Sequence, residues 1–169
     1  MKLICLLLTL TAFTMSGQNS KVTTIYLIRH AEKANADADP DLSEAGRARA
    51  QKWAAYFADK GISVGYTSAY RRTKQTISYA LTGGVKHTPG TVTEMNIKTY
   101  DPNRLSLKDV ADDNQGKSIL VVGHSNTIPG QINTFLSEKI YSDIPEDEFG
   151  HLYIIRIDGD KVSHEMIKM

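Results

Sequence analysis

Apolar, β-branched runs alternate along this chain with segments of helix-forming residues. Residues 22–28 (VTTIYLI) read as a buried strand, which stops abruptly at Arg29-His30. Residues 33–42 (KANADADPDL) are polar and contain a proline, so they read as a loop. Ser43 and Glu44 open an alanine-rich helix that runs to about Asp59, and Gly61 closes it. A second strand at 62–67 (ISVGYT) leads into Ser68-Ala69-Tyr70-Arg71-Arg72 and a helix to about Leu81, stopped by Gly83-Gly84. A short third strand near 85–88 is an option, and residues 89–101 read as irregular, with Pro89, Gly90 and Pro102 as punctuation. A helix is an option over 103–114. Residues 118–122 (SILVV) form a fourth, strongly apolar strand ending in Gly123-His124-Ser125-Asn126, followed by a helix at about 126–138. The chain ends in a hairpin, 151–157 (HLYIIRI), Asp158-Gly159-Asp160 and 161–168. This order predicts an α/β fold: a single three-layer domain, with a mostly parallel central sheet, helices on both faces and a C-terminal antiparallel hairpin. A length of 169 residues fits one domain.

The first residues stand apart from that pattern. Met1-Lys2 is a short positive start, residues 3–13 (LICLLLTLTAF) are apolar, and Thr14, Ser16 and Gly17 are small and polar. This is the layout of a secretory signal peptide, cut after Ser16 or Gly17, and the run is too short to span a bilayer comfortably. Residues 1–17 are therefore expected to be a signal peptide and 18–169 the domain. The protein would be periplasmic or secreted, with no stable membrane anchor. The only cysteine, Cys5, lies in the leader, so the mature domain would have no thiol, disulfide or cysteine metal site. A net charge of +1, without a polybasic run, gives no reason to expect a nucleic acid partner.

Three strands end in polar, reactive groups: the first at Arg29-His30, the second at Ser68 with Arg72 just beyond, the fourth at Gly123-His124. In parallel sheets ligands bind beyond the carboxyl ends of strands. Parallel strands would thus gather two imidazoles and two guanidiniums on one edge, rimmed by helix N-termini, a setting that favours anions such as phosphate or sulfate. A neutral imidazole nitrogen can act as a covalent nucleophile. Nearby arginines disfavour the imidazolium and keep its lone pair available. Arg29 and Arg72 would hold the non-bridging oxygens as charge develops, and a protonated His124 would add another donor. His87, His151 and His164 have no motif around them. A metal held by His30, His124 and Glu32 is not expected, because no zinc spacing is present. Asp37, Asp39 and Asp41 lack the glycine and terminal Glu of a calcium loop and read as a solvated acidic loop.

At these residues the chain resembles the histidine phosphatase superfamily, with its phosphoglycerate-mutase-like fold. The strand-then-Arg-His signature is LIRHAEK at 27–33. The helix start follows as Leu42-Ser43-Glu44-Ala45-Gly46. The arginine segment is Ser68-Ala69-Tyr70-Arg71-Arg72-Thr73-Lys74-Gln75-Thr76, and the second histidine stands in VVGHSN at 121–126. The resemblance implies that His30 becomes a transient phosphohistidine and that Arg29, Arg72 and His124 line the phosphate pocket. Register favours Arg72 over Arg71. The resemblance also implies a carboxylate that protonates the leaving oxygen; Glu94 fits its placement, with Asp101 and Glu32 as alternatives. Ala31, Ala69 and Ser125 depart from the usual Gly, Pro and Gly, which points to a small bacterial branch rather than to the glycolytic mutases. The expected activity is metal-independent hydrolysis of phosphomonoesters or phosphoramidates, with no cofactor. The expected partner is a phosphorylated small molecule or glycan, or else a phosphoprotein. A phosphomutase of the same family and a non-catalytic phosphate- or phosphoglycan-binding protein are the rival readings.

Overall fold

The structure is a computed structural model that describes residues 22–83 and 96–169. The expected signal peptide, the optional strand at 85–88 and Glu94 lie outside the described residues. The elements are β1 (Thr23–Arg29), α1 (Glu44–Phe57), β2 (Ile62–Ser68), α2 (Arg71–Thr82), β3 (Asn96–Tyr100), α3 (Leu107–Asp112), β4 (Ser118–Gly123), α4 (Thr127–Leu136), β5 (His151–Asp158) and β6 (Lys161–Lys168). They build one six-stranded sheet in the order β3-β2-β4-β1-β5-β6. β1, β2, β3 and β4 run parallel, β5 returns antiparallel to β1, and β6 closes the edge as a hairpin with β5.

Alternation along the strands sorts the core into two layers. Ile25 and Leu27 of β1 and Ile119 and Val121 of β4 face α3 and α4, where they meet Leu107, Val110, Ile128 and Ile132. Tyr26, Ile28, Leu120 and Val122 face the other way, onto Trp53 and Phe57 of α1 and Ile77 and Ala80 of α2. β1 and β4 are buried on both faces, which is why they read as continuous apolar runs. Each fully buried Ile or Leu contributes about 1.5–3 kcal/mol by leaving water. Trp53 stacks on Phe57 and belongs to this scaffold.

Two elements differ from the expectation. β3 forms inside the stretch 89–101 that reads as irregular. It is a short edge strand whose side chains are mostly exposed, so it carries no run of apolar residues; pairing along β2 defines it instead. The helix expected over 103–114 is only Leu107–Asp112, because Ser106 caps it by accepting from Asp109 N, while Asp101 accepts from Asn103 N in a turn before it.

Candidate active site

β1 and β4 are neighbours in register, with Arg29 opposite Gly123. The next residue on each chain is a histidine, so His30 and His124 emerge side by side, their ring centroids 5.5 Å apart and edge to face. The backbone holds this corner together, with His30 N donating to Gly123 O at 2.9 Å. Gly123 is required here, because a Cβ would stand 2.7 Å from the Tyr100 hydroxyl and 2.8 Å from Ile128. Gly46 serves a similar close approach at the start of α1, where a Cβ would lie 2.3 Å from Glu32 O. The Ser43 hydroxyl caps that helix by accepting from Gly46 N. The loop carrying His30 is thus pinned against α1.

α2 pins it from the other side. Ala31 N donates to Thr76 Oγ1 at 3.0 Å, and Leu42 N donates to Gln75 Oε1 at 2.8 Å. Gln75 Nε2 also donates to Asp41. Asp39 and Asp41 of the acidic loop are occupied by α2: Asp39 accepts from Arg71 N, and Asp41 pairs with the Arg71 guanidinium.

His30 is almost completely buried. Its Nδ1 lies 2.8 Å from Ala31 O. A carbonyl oxygen can only accept, so Nδ1 carries the proton and Nε2 is left with the lone pair. Burial pushes the ring's pKa down to about 3; Arg72 and Arg29 add to that, and the bond to Ala31 opposes it. His124 Nε2 lies 3.0 Å from Ser68 Oγ, which in turn contacts the Thr73 hydroxyl. Burial, then Arg72 and Arg29, lower the His124 pKa to about 4. His124 is therefore neutral at pH 7 in the free chain, not the imidazolium considered from the sequence.

These groups open into a cavity of about 410 Å³ lined by His30, Lys33, Tyr70, Arg72, Asp101, His124, Ser125, Glu146 and their neighbours. Arg72 lies over the Tyr70 ring, 4.2 Å from its centroid, with Asp39 at 3.7 Å. Arg71 is directed to solvent instead. Asp101 lines the cavity, whereas Glu32 does not: its carboxylate pairs with Arg49 at 2.7 Å. A larger groove of about 620 Å³ lies at the end of α4, lined by residues such as Asn133, Lys139 and Tyr141, and holds none of the reactive groups.

Arg29 sits behind the cavity rather than in its lining. Its Nη1 donates to Pro145 O and Glu148 O at 2.8 Å each, its Nη2 donates to Glu146 Oε2 at 2.6 Å, and the guanidinium lies 4.3 Å from the Phe149 ring centroid. The Nε atoms of Arg29 and Arg72 are buried without a hydrogen-bond partner among the described residues. Glu146 lines the cavity and was not among the candidates read from the sequence. It accepts from the Ser125 hydroxyl as well as from Arg29, and the Ser125 bond, more than Arg29, holds its carboxyl below the usual range. The signal available in sequence was the hydroxyl of Ser125, directly after His124. Among the described residues, no group of three or more His, Cys, Asp or Glu is placed to hold a metal ion, and no helix is long and apolar enough to cross a membrane.

The fold and this corner define an α/β protein with two imidazoles and a guanidinium gathered at the carboxyl edge of a parallel sheet. Residues 25–102 match the histidine phosphatase superfamily (branch 1). A protein assigned as the phosphohistidine phosphatase SixA from Agrobacterium tumefaciens is 25% identical, with a TM-score of 0.60, over 86% of this chain and 94% of that one. The protein histidine phosphatase SixA complexed with tungstate is 14% identical, with a TM-score of 0.62, over 86% and 96%. A phosphoserine phosphatase from Entamoeba histolytica in complex with 3-phosphoglyceric acid is 15% identical, with a TM-score of 0.65, over 87% and 98%. No curated protein matches the sequence. In sequence over residues 25–102, and in fold over most of its length, the chain is similar to the histidine phosphatase superfamily.

Proposed function

We propose that the protein is a metal-independent phosphatase that hydrolyses phosphomonoesters or phosphoramidates through a phosphohistidine on His30. The observation that carries this reading is the tautomer of His30: the Ala31 carbonyl holds the proton on Nδ1, and burial keeps the ring neutral, so Nε2 is a ready nucleophile beside Arg72 and His124. In the first step Nε2 forms a bond to phosphorus, the bond to the leaving group breaks, and the leaving atom takes a proton from a carboxylic acid. In the second step water attacks phosphorus, gives its proton to the same carboxylate, and the P–N electrons return to Nε2. Arg29 and Arg72 neutralise the phosphoryl oxygens as charge develops, and His124 adds a hydrogen bond to them. Arg29 does so from behind, where its Nη2 now holds Glu146. Glu94 is proposed as the proton donor from the family's placement, and Asp101, which lines the cavity, is the second candidate.

The test is phosphate release from p-nitrophenyl phosphate with EDTA present, beside His30→Ala. Turnover that survives EDTA and is lost in the variant supports the scheme; equal turnover in both proteins overturns it. Phosphate binding without turnover of any substrate would instead favour a binding protein. Residues 1–17 are proposed to direct export, and finding the intact chain in the cytosol of expressing cells would refute that.

A further inference from the structure

We infer that Glu146, with Asp101, fits the cavity to a phosphorylated compound that carries a positive charge. The inference rests on the phosphatase reading above and narrows its substrate class. The charged groups at the site are Lys33, Arg72, Asp101 and Glu146 in the cavity wall and Arg29 directly behind Glu146. Both histidines are neutral near pH 7. Among the described residues, a seated phosphoryl dianion sets three cations against two carboxylates and two phosphoryl charges, an excess of one negative charge that a proton taken up by His124 would only balance. Asp39, 3.7 Å from Arg72, adds to that excess; Arg104, which approaches Asp101 only at 3.9 Å and is mostly in water, offsets little of it. An ammonium or guanidinium on the leaving group removes the imbalance, and a carboxylate there enlarges it.

Glu146 is not a stray surface acid. Its side chain is 74% exposed and lines the cavity, yet both oxygens are held, one by Ser125 and one by Arg29. The Ser125 hydroxyl, directly after His124, donates to it and fixes the carboxylate at the cavity wall. The same charge disfavours phosphoglycerate, the substrate type of the rival mutase reading.

The experiment compares kcat/KM for O-phosphoethanolamine and for n-propyl phosphate, close in size and differing in one positive charge, in the wild-type protein and in Glu146→Gln. A ratio is read because removing the carboxylate also strengthens binding of every phosphoryl dianion, an effect that cancels. Glutamine keeps an acceptor for Arg29, and the thermal unfolding transition of each preparation reports folding. The wild type is expected to prefer the amine by about tenfold, the effect of one unit charge a few ångströms away in a partly solvated site. Glu146→Gln should reduce that preference to about threefold or less, and 3-phosphoglycerate should be the poorest of the three substrates. A wild-type ratio near one, or a ratio unchanged by Glu146→Gln, overturns the inference while leaving the phosphatase reading intact. If no phosphate ester is turned over, it is the phosphatase reading that fails. The same ratio is then taken from the dissociation constants of the two compounds by calorimetry, with the same outcomes deciding.

Discussion

His30 Nδ1 stands 2.8 Å from the carbonyl oxygen of Ala31, the very next residue, so the tautomer of His30 is set by its own backbone. The phosphorylated protein should therefore carry its phosphoryl group on Nε2. Nitrogen-15 spectra at neutral pH should show a protonated Nδ1 and a bare Nε2 on His30. A protonated Nε2 would reverse the assignment of the nucleophilic atom.

Arg72 lines the cavity, whereas Arg71 is in solvent with Asp41. Arg72→Ala should lower kcat by about 10²–10³, the usual loss when one preorganised donor to a developing oxyanion is removed. Arg71→Ala should change kcat by less than about threefold. Steady-state kinetics on the two variants will separate them, and equal losses would mean that the register of α2 does not set the phosphate arginine.

Both imidazoles titrate below their ordinary value of 6.5, at about 3 for His30 and about 4 for His124. In the unfolded chain they regain protons near pH 6.5, so between there and the folded pKa values the unfolded state binds more protons. Stability from these two groups is complete above pH 6.5 and is lost as pH falls toward 4 and 3. Thermal unfolding followed from pH 7 to pH 4 should show a falling Tm in the wild type. A double variant, His30→Asn with His124→Asn, should show a shallower slope. Inorganic phosphate should reduce the slope as well, because a bound anion favours the imidazolium.

Gly46→Ala places a methyl group 2.3 Å from Glu32 O, a backbone atom that cannot step aside. The expected cost is about 1–3 kcal/mol of stability, as for other overpacked sites. Activity should suffer too, since the same contact holds the loop bearing His30. Urea denaturation with p-nitrophenyl phosphate assays on the same samples will show whether the two losses come together.

Strands buried on both faces were readable from the sequence because burial demands apolar residues at every position, as in Ile25–Ile28 and Ile119–Val122. β3 was not readable, because an edge strand with exposed side chains is defined by its partner and leaves no periodicity. The site divides in the same way. His30, His124 and Arg72 follow strand ends and the start of α2, positions that the alternation of elements reveals. Glu146 stands in the irregular stretch before β5, and its place in the cavity follows from a hydrogen bond to Ser125 and an ion pair to a residue 117 positions away in the chain. Such a meeting depends on loop shape, for which no local pattern exists. The placement of Arg29 behind the cavity has the same origin, since the residues that claim it, Pro145, Glu146, Glu148 and Phe149, all belong to that stretch.

The pairing of Arg29 with Gly123 has a mechanical consequence. The two histidines are each one step past a paired position, so their separation is a dimension of the sheet itself. A single residue inserted within Ser118–Gly123 would carry His124 about 3.3 Å along the strand and turn it to the opposite face. The same insertion between Asp158 and Lys161 would leave the pair untouched. Under the proposed mechanism, activity would double as a gauge of strand alignment: wherever His30 and His124 cooperate, β1 and β4 are in step.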